Sequence, residues 1–404
     1  MINTVSGIRS TGRICSNIAS ELIKQGHDVV IAYGRGRVPK ECEKYSFKIG
    51  TSVSVFFHIL KSRLFDKSGF GSTKATRKFV TWIKRYNPDV IHLHNLHGYY
   101  LNVPILFNYL QNCGKTIIWT LHDCWPFTGH CCYFTAYNCE KWKTKCFSCP
   151  LKRDYPRSII ADKSQSNYFR KKELFERMIN YTIVTPSKWL SELVKQSFLK
   201  NANVRIINNG VDLNVFKKTD VDLSKYGVDT SKRIILGIAS VWDKRKGLND
   251  FIELNSKIDK TKYQIVLVGV DKKQARIIPN NVVCIEHTDN INELAGLYST
   301  ASVLFNPTYE DNYPTVNLES IACGTPVVTY ATGGSPEIIN QCGFGLVIEK
   351  RDFNKLLSFI DDFDKVAFSK PFDLQTISKN QMVSNYLTLY QFVLANDKRE
   401  ESHE

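Results

Sequence analysis

Residues 306–328 read NPTYEDNYPTVNLESIACGTPVV. The stretch runs from a strand end through an acidic loop into a helix, stops at a glycine and enters a second strand. The backbone N–H groups that open such a helix, at Thr315 and Val316, have no intrahelical acceptor and form an anion site. Glu319 lies about one turn further in, within reach of a ligand hydroxyl, although spacing alone equally allows a solvated helix residue. Strand, loop, helix and strand together are the repeat of a parallel α/β sheet.

The same rhythm extends in both directions. Apolar runs at 29–33, 90–93, 116–121, 182–185 and 204–207 suit buried strands in the first half, as do 234–239, 264–268, 282–285, 303–305 and 326–330 in the second. The helices between them have legible starts: Ser187 before a run ending near Phe198, Asn290 with Glu293 before a helix to Ser299, and Ser335 as a cap ahead of Pro336 and Glu337. Polar residues interrupt the rhythm across 217–232. The expected architecture is therefore α/β, with two doubly wound Rossmann-like domains facing across a cleft. Residues 1–216 form the first, with a cysteine-rich insertion at 124–149. Residues 217–376 form the second, and 377–404 are a C-terminal helix and tail returning to the first domain. Ligands of such sheets bind beyond the carboxyl ends of the strands, so chemistry is sought in the loops there.

Several of those loops carry a family pattern. Asp311 and Glu319 bracket seven residues, and ACGTPVV follows at 322–328; GIASVWDKRKG stands at 237–247, NNGVDLNVF at 208–216 and TGGSPE at 332–337. In their order and coverage these segments resemble the retaining glycosyltransferases of the family 4 type, which have the GT-B fold and an E-x7-E signature. The resemblance implies that Glu319 binds the ribose hydroxyls of a nucleotide and that the first acid contacts the donor sugar. Asp311 stands where the family usually has Glu, with Glu310 one place earlier, and either acid fits that role. Arg245 and Lys246 would hold the diphosphate, because fixed positive charge stabilises the oxyanion released as the glycosidic bond breaks. Many relatives carry a further Arg at the place of Ser240, which leaves that duty to Arg245 and Lys246. Asn290 opens the helix that lies near the nucleobase in relatives, and the TGGSPE turn faces the donor.

In the first half, WTLHD at 119–123 places His122 just past a strand end. The resemblance assigns it to the donor sugar beside the reacting centre, and a neutral imidazole can hydrogen-bond a hydroxyl or shuttle a proton. The turn from Gly7 to Arg13, with Gly12, lies against donor and acceptor in the family; the strand before it is unusually short here. His92, His94 and His97, in IHLHNLHG at 91–98, form another strand-end group, with His92 and His94 on one side by alternation.

With 43% hydrophobic and 23% charged residues, 22 Gly and 13 Pro in 404, the composition excludes collagen-like, coiled-coil and wholly disordered classes. No run of about 18 apolar residues predicts a membrane-spanning helix, and the N-terminus lacks the basic start and apolar stretch of a signal peptide. The net charge of +15 is uneven: residues 1–200 hold 31 Lys/Arg against 13 Asp/Glu, and residues 201–404 hold 23 against 26. A surplus confined to one half marks a face for an anionic partner. Within it, residues 53–84 mix Val55, Phe56, Phe57, Ile59, Leu60, Leu64 and Phe65 with Lys61, Arg63, Lys67, Lys74, Arg77, Lys78 and Lys84. That pattern suits the interface of an anionic membrane, or an ordinary helix with a charged outer face.

Six of the twelve cysteines fall between Cys124 and Cys149. Cys146-x2-Cys149 is the close pair of a zinc knuckle, and Cys131 and Cys139 complete a tetrahedral thiolate set, with Cys124, Cys132 and His130 as alternative ligands. Structural zinc, reduced thiols and disulfides are the three readings of this cluster.

The expected protein is thus a retaining, hexosyl-transferring glycosyltransferase that takes a UDP- or GDP-sugar and needs no catalytic metal. His122, Lys246 and Asp311 or Glu310 serve the reacting centre. Arg245, Lys246, Asn290, Thr315, Val316, Glu319 and Gly12 bind the donor, and Cys131, Cys139, Cys146 and Cys149 hold a structural zinc. The expected acceptor is lipid-linked or an oligosaccharide in bacterial capsule or exopolysaccharide assembly. The expected place is cytoplasmic and peripheral on the inner face of the plasma membrane, with no nucleic-acid partner. A GT-B sugar-nucleotide epimerase would share the donor site without an acceptor. A non-enzymatic zinc and nucleic-acid-binding protein would leave Asp311-x7-Glu319 and the RKG turn unexplained.

Overall fold

A computed structural model of the chain describes residues 1–362 and 371–401. They form two compact units: residues 1–208 with the chain from Val383 onward, and residues 209–382. The first unit holds a seven-stranded sheet of β1 (Ile2–Asn3), β2 (Ile31–Tyr33), β3 (Ser46–Lys48), β4 (Val90–Leu93), β5 (Thr116–Thr120), β6 (Tyr181–Thr185) and β7 (Asn203–Ile206). Their order is β3-β2-β1-β4-β5-β6-β7, and every neighbouring pair is parallel. The second unit holds β8 (Arg233–Ile238), β9 (Tyr263–Val268), β10 (Val283–Ile285), β11 (Val303–Asn306), β12 (Val327–Tyr330) and β13 (Gly345–Ile348). These run β10-β9-β8-β11-β12-β13, again all parallel. In both sheets the order reverses once, between β1 and β4 and between β8 and β11, the kind of switch point at which ligands of open α/β sheets generally bind.

Burial on both faces explains why the strands read as continuous apolar runs. Ile234, Leu236, Val266 and Val268 pack with Leu297, Leu304 and Leu318 on one side of the second sheet. Ile235, Ile265 and Leu267 pack with Phe251, Leu254 and Phe353 on the other. All ten expected strands are present within two residues of their expected ends. Of the two unexpected edge strands, β3 is the half-exposed Ser46-Phe47-Lys48, whereas β13 went unassigned despite its apolar Leu346-Val347-Ile348.

Two of the three expected caps form: Ser187 Oγ accepts from the Leu190 N–H at 3.1 Å, and Asn290 Oδ1 from that of Glu293 at 3.0 Å. The third is corrected. Ser335 is the first residue of the helix Ser335–Cys342, and Gly334 is its cap. Its hydroxyl points inward instead, 2.7 Å from Thr329 Oγ1 and 3.2 Å from Asn317 Nδ2. The units divide at 208/209, ahead of the 216/217 boundary expected from the polar stretch. The intervening residues are tied to the second unit, because Asn209 Nδ2 donates to the Tyr313 carbonyl at 2.9 Å and Asp212 pairs with Lys379 at 2.6 Å. The C-terminal helix Lys379–Glu401 changes unit at Met382/Val383, not at 376/377.

That helix buries Tyr386 and Tyr390 beside β4 and β5. Tyr390 OH lies 2.6 Å from His92 Nδ1, and Thr120 Oγ1 lies 2.8 Å from His92 Nε2 and 3.1 Å from Tyr386 OH. Burial pushes the His92 and His94 imidazoles well below their usual pKa and takes His58 and His122 down to about 4. Unfolded imidazoles titrate near 6.5, so between there and about 4 the unfolded chain binds protons that the folded chain refuses. Their contribution is complete above the unfolded value and is lost as pH falls. His130 has the opposite sign: burial opposes its charge, but Asp66 at 2.6 Å outweighs that and raises its pKa. With four groups against one, the melting temperature is expected to fall from neutral pH towards about pH 5. Thermal unfolding across that range checks it, and a flat profile would contradict neutral buried imidazoles.

Candidate active site

The carboxyl ends of β8 and β11 carry the two motif loops of the second unit. After β8, Lys244–Lys246 form a single 3-10 turn. Asp243 Oδ1 accepts from the backbone N–H groups of Arg245 at 3.0 Å and Lys246 at 3.1 Å, so the cations sit on a capped turn, not on a floppy loop. Gly247 ends the turn at φ 76°, where an added Cβ would lie 2.3 Å from the Pro307 carbonyl oxygen. Only glycine lets the β8 loop approach the β11 loop this closely.

That approach brings opposite charges together. Lys246 Nζ lies 2.5 Å from Asp311 Oδ2, and Arg245 NH1 lies 3.6 Å from the same oxygen while donating to the Glu310 carbonyl at 2.6 Å. Burial disfavours the Asp311 carboxylate, yet Lys246 and Arg245 outweigh it and hold its pKa below the usual range. On its other side, the Gly334 N–H donates to the Asp311 carbonyl at 2.9 Å, and Gly333, at φ 58°, would place a Cβ 2.2 Å from that oxygen. Glu310 and Asp311 are both buried, but they differ: the Asp311 side chain meets the cations, whereas Glu310 meets Arg245 through its main chain.

The helix that follows, Thr315–Ala322, starts after Pro314 with no side chain capping it, and Thr315 and Val316 are half-buried. Glu319, on its buried face, accepts from Tyr298 OH at 2.8 Å. Asn317 is clamped by Asn306 at 2.8 Å and by the Ser335 carbonyl at 3.2 Å, which locks the helix to the end of β11. Asn290 heads the helix Ile291–Thr300, which also carries Tyr298. Asn290 itself is exposed and occupied in capping. The supporting residues Asp243, Tyr298 and Asn317 were not singled out from the sequence. Asp243 had a signal, an acid directly before KRK, whereas the Tyr298–Glu319 contact joins residues from two helices.

In the first unit, His122 follows β5 and its Nε2 lies 3.0 Å from His94 Nδ1, with the rings stacked 5.3 Å apart. The His94 ring lies tilted against that of His92 with centroids 4.0 Å apart, on the same side as alternation along β4 predicts. His97 Nε2 lies 2.7 Å from Asp123 Oδ2, and its Nδ1 lies 3.1 Å from Tyr155 OH. Gly12 lies inside the helix Arg9–Lys24, where a Cβ would meet Val5 Cγ2 at 3.0 Å, so it seats the helix against the loop after β1. Among the described residues, the group whose potential metal-ligating atoms converge is His97, Asp123 and Cys132, not the four cysteines expected to hold zinc. Cys131, Cys139, Cys146 and Cys149 are free thiols arranged around one small cavity.

Residues 11–215 match the family model described as Glycosyltransferase Family 4, and residues 232–362 match that of Glycosyl transferases group 1. The putative colanic acid biosynthesis glycosyl transferase WcaC of Escherichia coli is 24% identical over 94% of this chain and 95% of its own length. An uncharacterized 41.2 kDa protein in the cps region of Klebsiella pneumoniae is 22% identical over 84% of this chain and 89% of its own. Among solved structures, sucrose-phosphate synthase from Thermosynechococcus elongatus superposes with a TM-score of 0.67 at 16% identity, covering 96% of this chain and 93% of that one. Anabaena HepE in complex with UDP superposes at 0.62 and 15% identity, covering 96% and 98%. With one family model spanning half the sequence, a second following it, and structural likeness over nearly the whole length, the chain belongs to glycosyltransferase family 4 and has the GT-B fold.

Proposed function

We propose that this enzyme is a retaining glycosyltransferase that moves a hexose from a UDP- or GDP-sugar to a lipid-linked or oligosaccharide acceptor in surface-polysaccharide assembly. The observation that carries this reading is the cluster of Arg245, Lys246 and Asp311 at the switch point of the second sheet, directly ahead of an uncapped helix start. A diphosphate placed there meets two cations and the backbone N–H groups of Thr315 and Val316. Glu319, already oriented by Tyr298, takes the ribose hydroxyls. Asp311 takes the first acidic role, because its carboxylate is the one positioned beside Lys246. The acceptor hydroxyl attacks from the face the diphosphate leaves, and the cations stabilise the departing oxyanion. His122, neutral at physiological pH, positions the donor sugar, and its bond to His94 fixes the ring. The family resemblance likewise assigns Asn290 and Gly12 to the donor. UDP as the nucleotide is supported by the HepE complexes with UDP and UDP-glucose.

The acceptor class is supported by the names of the two bacterial relatives, colanic acid biosynthesis and the cps region. Its place is supported by an inverted helix in the basic half. The helix Ser52–Phe65 buries Val55, His58 and Ser62 and turns Val53, Phe56, Phe57, Leu60 and Phe65 to solvent. The loop bearing exposed Ile159 and Ile160 bonds to its end, through Ile159 N–H to the Arg63 carbonyl at 2.7 Å. Lys61, Arg63 and Lys67 stand exposed among them. Apolar side chains ringed by cations suit an anionic bilayer surface. No helix among the described residues is long and apolar enough to cross a membrane, so contact of this kind would be peripheral.

Lys246→Ala and Glu319→Ala are each expected to lower kcat/KM by about 10²-fold or more while the fold is retained. Steady-state assays with a matching circular dichroism spectrum check this, and unchanged turnover would refute the site. Incubating enzyme with UDP-sugar and no acceptor should leave the sugar's stereochemistry intact; a new epimer would favour the epimerase reading. Vesicles rich in phosphatidylglycerol should sediment the protein at low salt, and a Phe56→Ser, Phe57→Ser double variant should remain in the supernatant. Wild-type protein that stays in solution would defeat membrane attachment.

A further inference from the structure

Residues 121–163 have no strand and no α-helix, only the 3-10 turns Trp125–Phe127, Thr135–Tyr137 and Lys141–Lys143. A segment of this length without regular structure needs something besides backbone pairing to hold it. Four of its large apolar side chains, Trp125, Phe127, Phe134 and Trp142, are buried. Beside Phe134 and Trp142 lies a cavity of about 10 Å³, room for a single small occupant. It is lined by Cys131, Cys139, Cys146 and Cys149 together with His130 and Trp142.

Two buried polar atoms of this lining, His130 Nε2 and Trp142 Nε1, have no hydrogen-bond partner. Buried polar groups are almost always satisfied, so a matched pair of orphans around one cavity calls for a ligand or its anionic ligating atoms. The surroundings are already arranged for sulfur anions. The Gly129 N–H donates to Cys146 Sγ at 3.1 Å. Asp66, 2.6 Å from His130 Nδ1, fixes the ring in this lining. His97, Asp123 and Cys132 are the group whose potential ligating atoms do lie within 4.8 Å of one another, but both ring nitrogens of His97 are already engaged by Asp123 and Tyr155.

We propose that Cys131, Cys139, Cys146 and Cys149 bind one structural zinc ion as four thiolates, with Gly129 N–H, Trp142 Nε1–H and the His130 ring supporting the sulfurs from outside. Binding releases the four thiol protons to solvent and requires the sulfurs, no three of which lie within 4.8 Å of one another, to close to about 2.3 Å from the ion. No electron is transferred. The ion ties the start of the insertion to its end, supplying the cross-link that the missing secondary structure does not. This site is separate from the donor-binding residues and stands whether or not the proposed reaction is correct.

The test is metal analysis of the full chain purified without added zinc or chelator, with cobalt exchange as a second readout. One zinc per chain is expected, and cobalt-loaded protein should show the intense thiolate-to-cobalt charge transfer of a four-sulfur tetrahedral site. Cys139→Ser and Cys149→Ser should lose most of the metal, Cys284→Ser should keep it, and His130→Gln should keep the stoichiometry with weaker retention. A metal-free wild type that stays folded would overturn the proposal. So would metal retained at full stoichiometry in Cys139→Ser, or lost from His130→Gln as completely as from the cysteine variants. Should the serine variants fail to fold, the wild-type cobalt spectrum decides alone: an octahedral or thiolate-poor spectrum overturns the four-sulfur site.

Discussion

Parallel pairing is the constraint from which the rest of this structure follows. Parallel neighbours cannot be joined by a tight turn, so every strand is followed by a crossover that covers one face of its sheet. With both faces covered, backbone groups are open to a ligand only at the strand ends. Where strand order reverses, adjacent crossovers leave on opposite faces and the loops part. β8 and β11 border one such point, and the cationic turn, the acidic loop and the Glu319 helix all begin there.

Within that opening, Asp311 organises the charge. Two cations alone at a strand end would repel each other and wander; the carboxylate between them holds Lys246 in direct contact and Arg245 nearby. Asp311 is in turn gripped through its main chain by the Gly333-Gly334 turn. The two glycine positions, Gly247 on one side and Gly333 on the other, are where backbone must come close enough for this geometry, and both have positive φ. A diphosphate entering the site meets positive charge that is already oriented, so little reorganisation is needed as negative charge develops.

How much of this was legible differs by element. The strands of the second half were plain, because burial on both faces forces unbroken apolar runs such as Ile234-Ile235-Leu236. Edge strand β3 was not, since Ser46 and Lys48 flank a single apolar residue and break that signature. Ser335 read as a cap from its position before Pro336, but a glycine turn fixed by Asp311 took that role and turned the hydroxyl into the core. The aromatic and basic stretch at 53–84 read as amphipathic. It is two helices, and only the first, Ser52–Phe65, faces its apolar side outward, an inversion that periodicity cannot reveal because it does not say which side is solvent.

The sequence by itself determined the α/β class, the family and the identity of the charged residues, since those depend on local pattern and spacing: KRK after a strand, Asp311-x7-Glu319 across a loop and a helix, and cysteines at knuckle distance. Only the tertiary structure decided which of these residues meet. The contacts Lys246–Asp311, Tyr298–Glu319 and His94–His122 join residues that lie 21 or more positions apart. It also placed His130 and Trp142 around the cysteine cavity with unpaired nitrogens. The reason is physical: propensity acts on neighbours along the chain, whereas ion pairs, orphaned donors and pockets arise only when the sheet brings distant loops to a common edge.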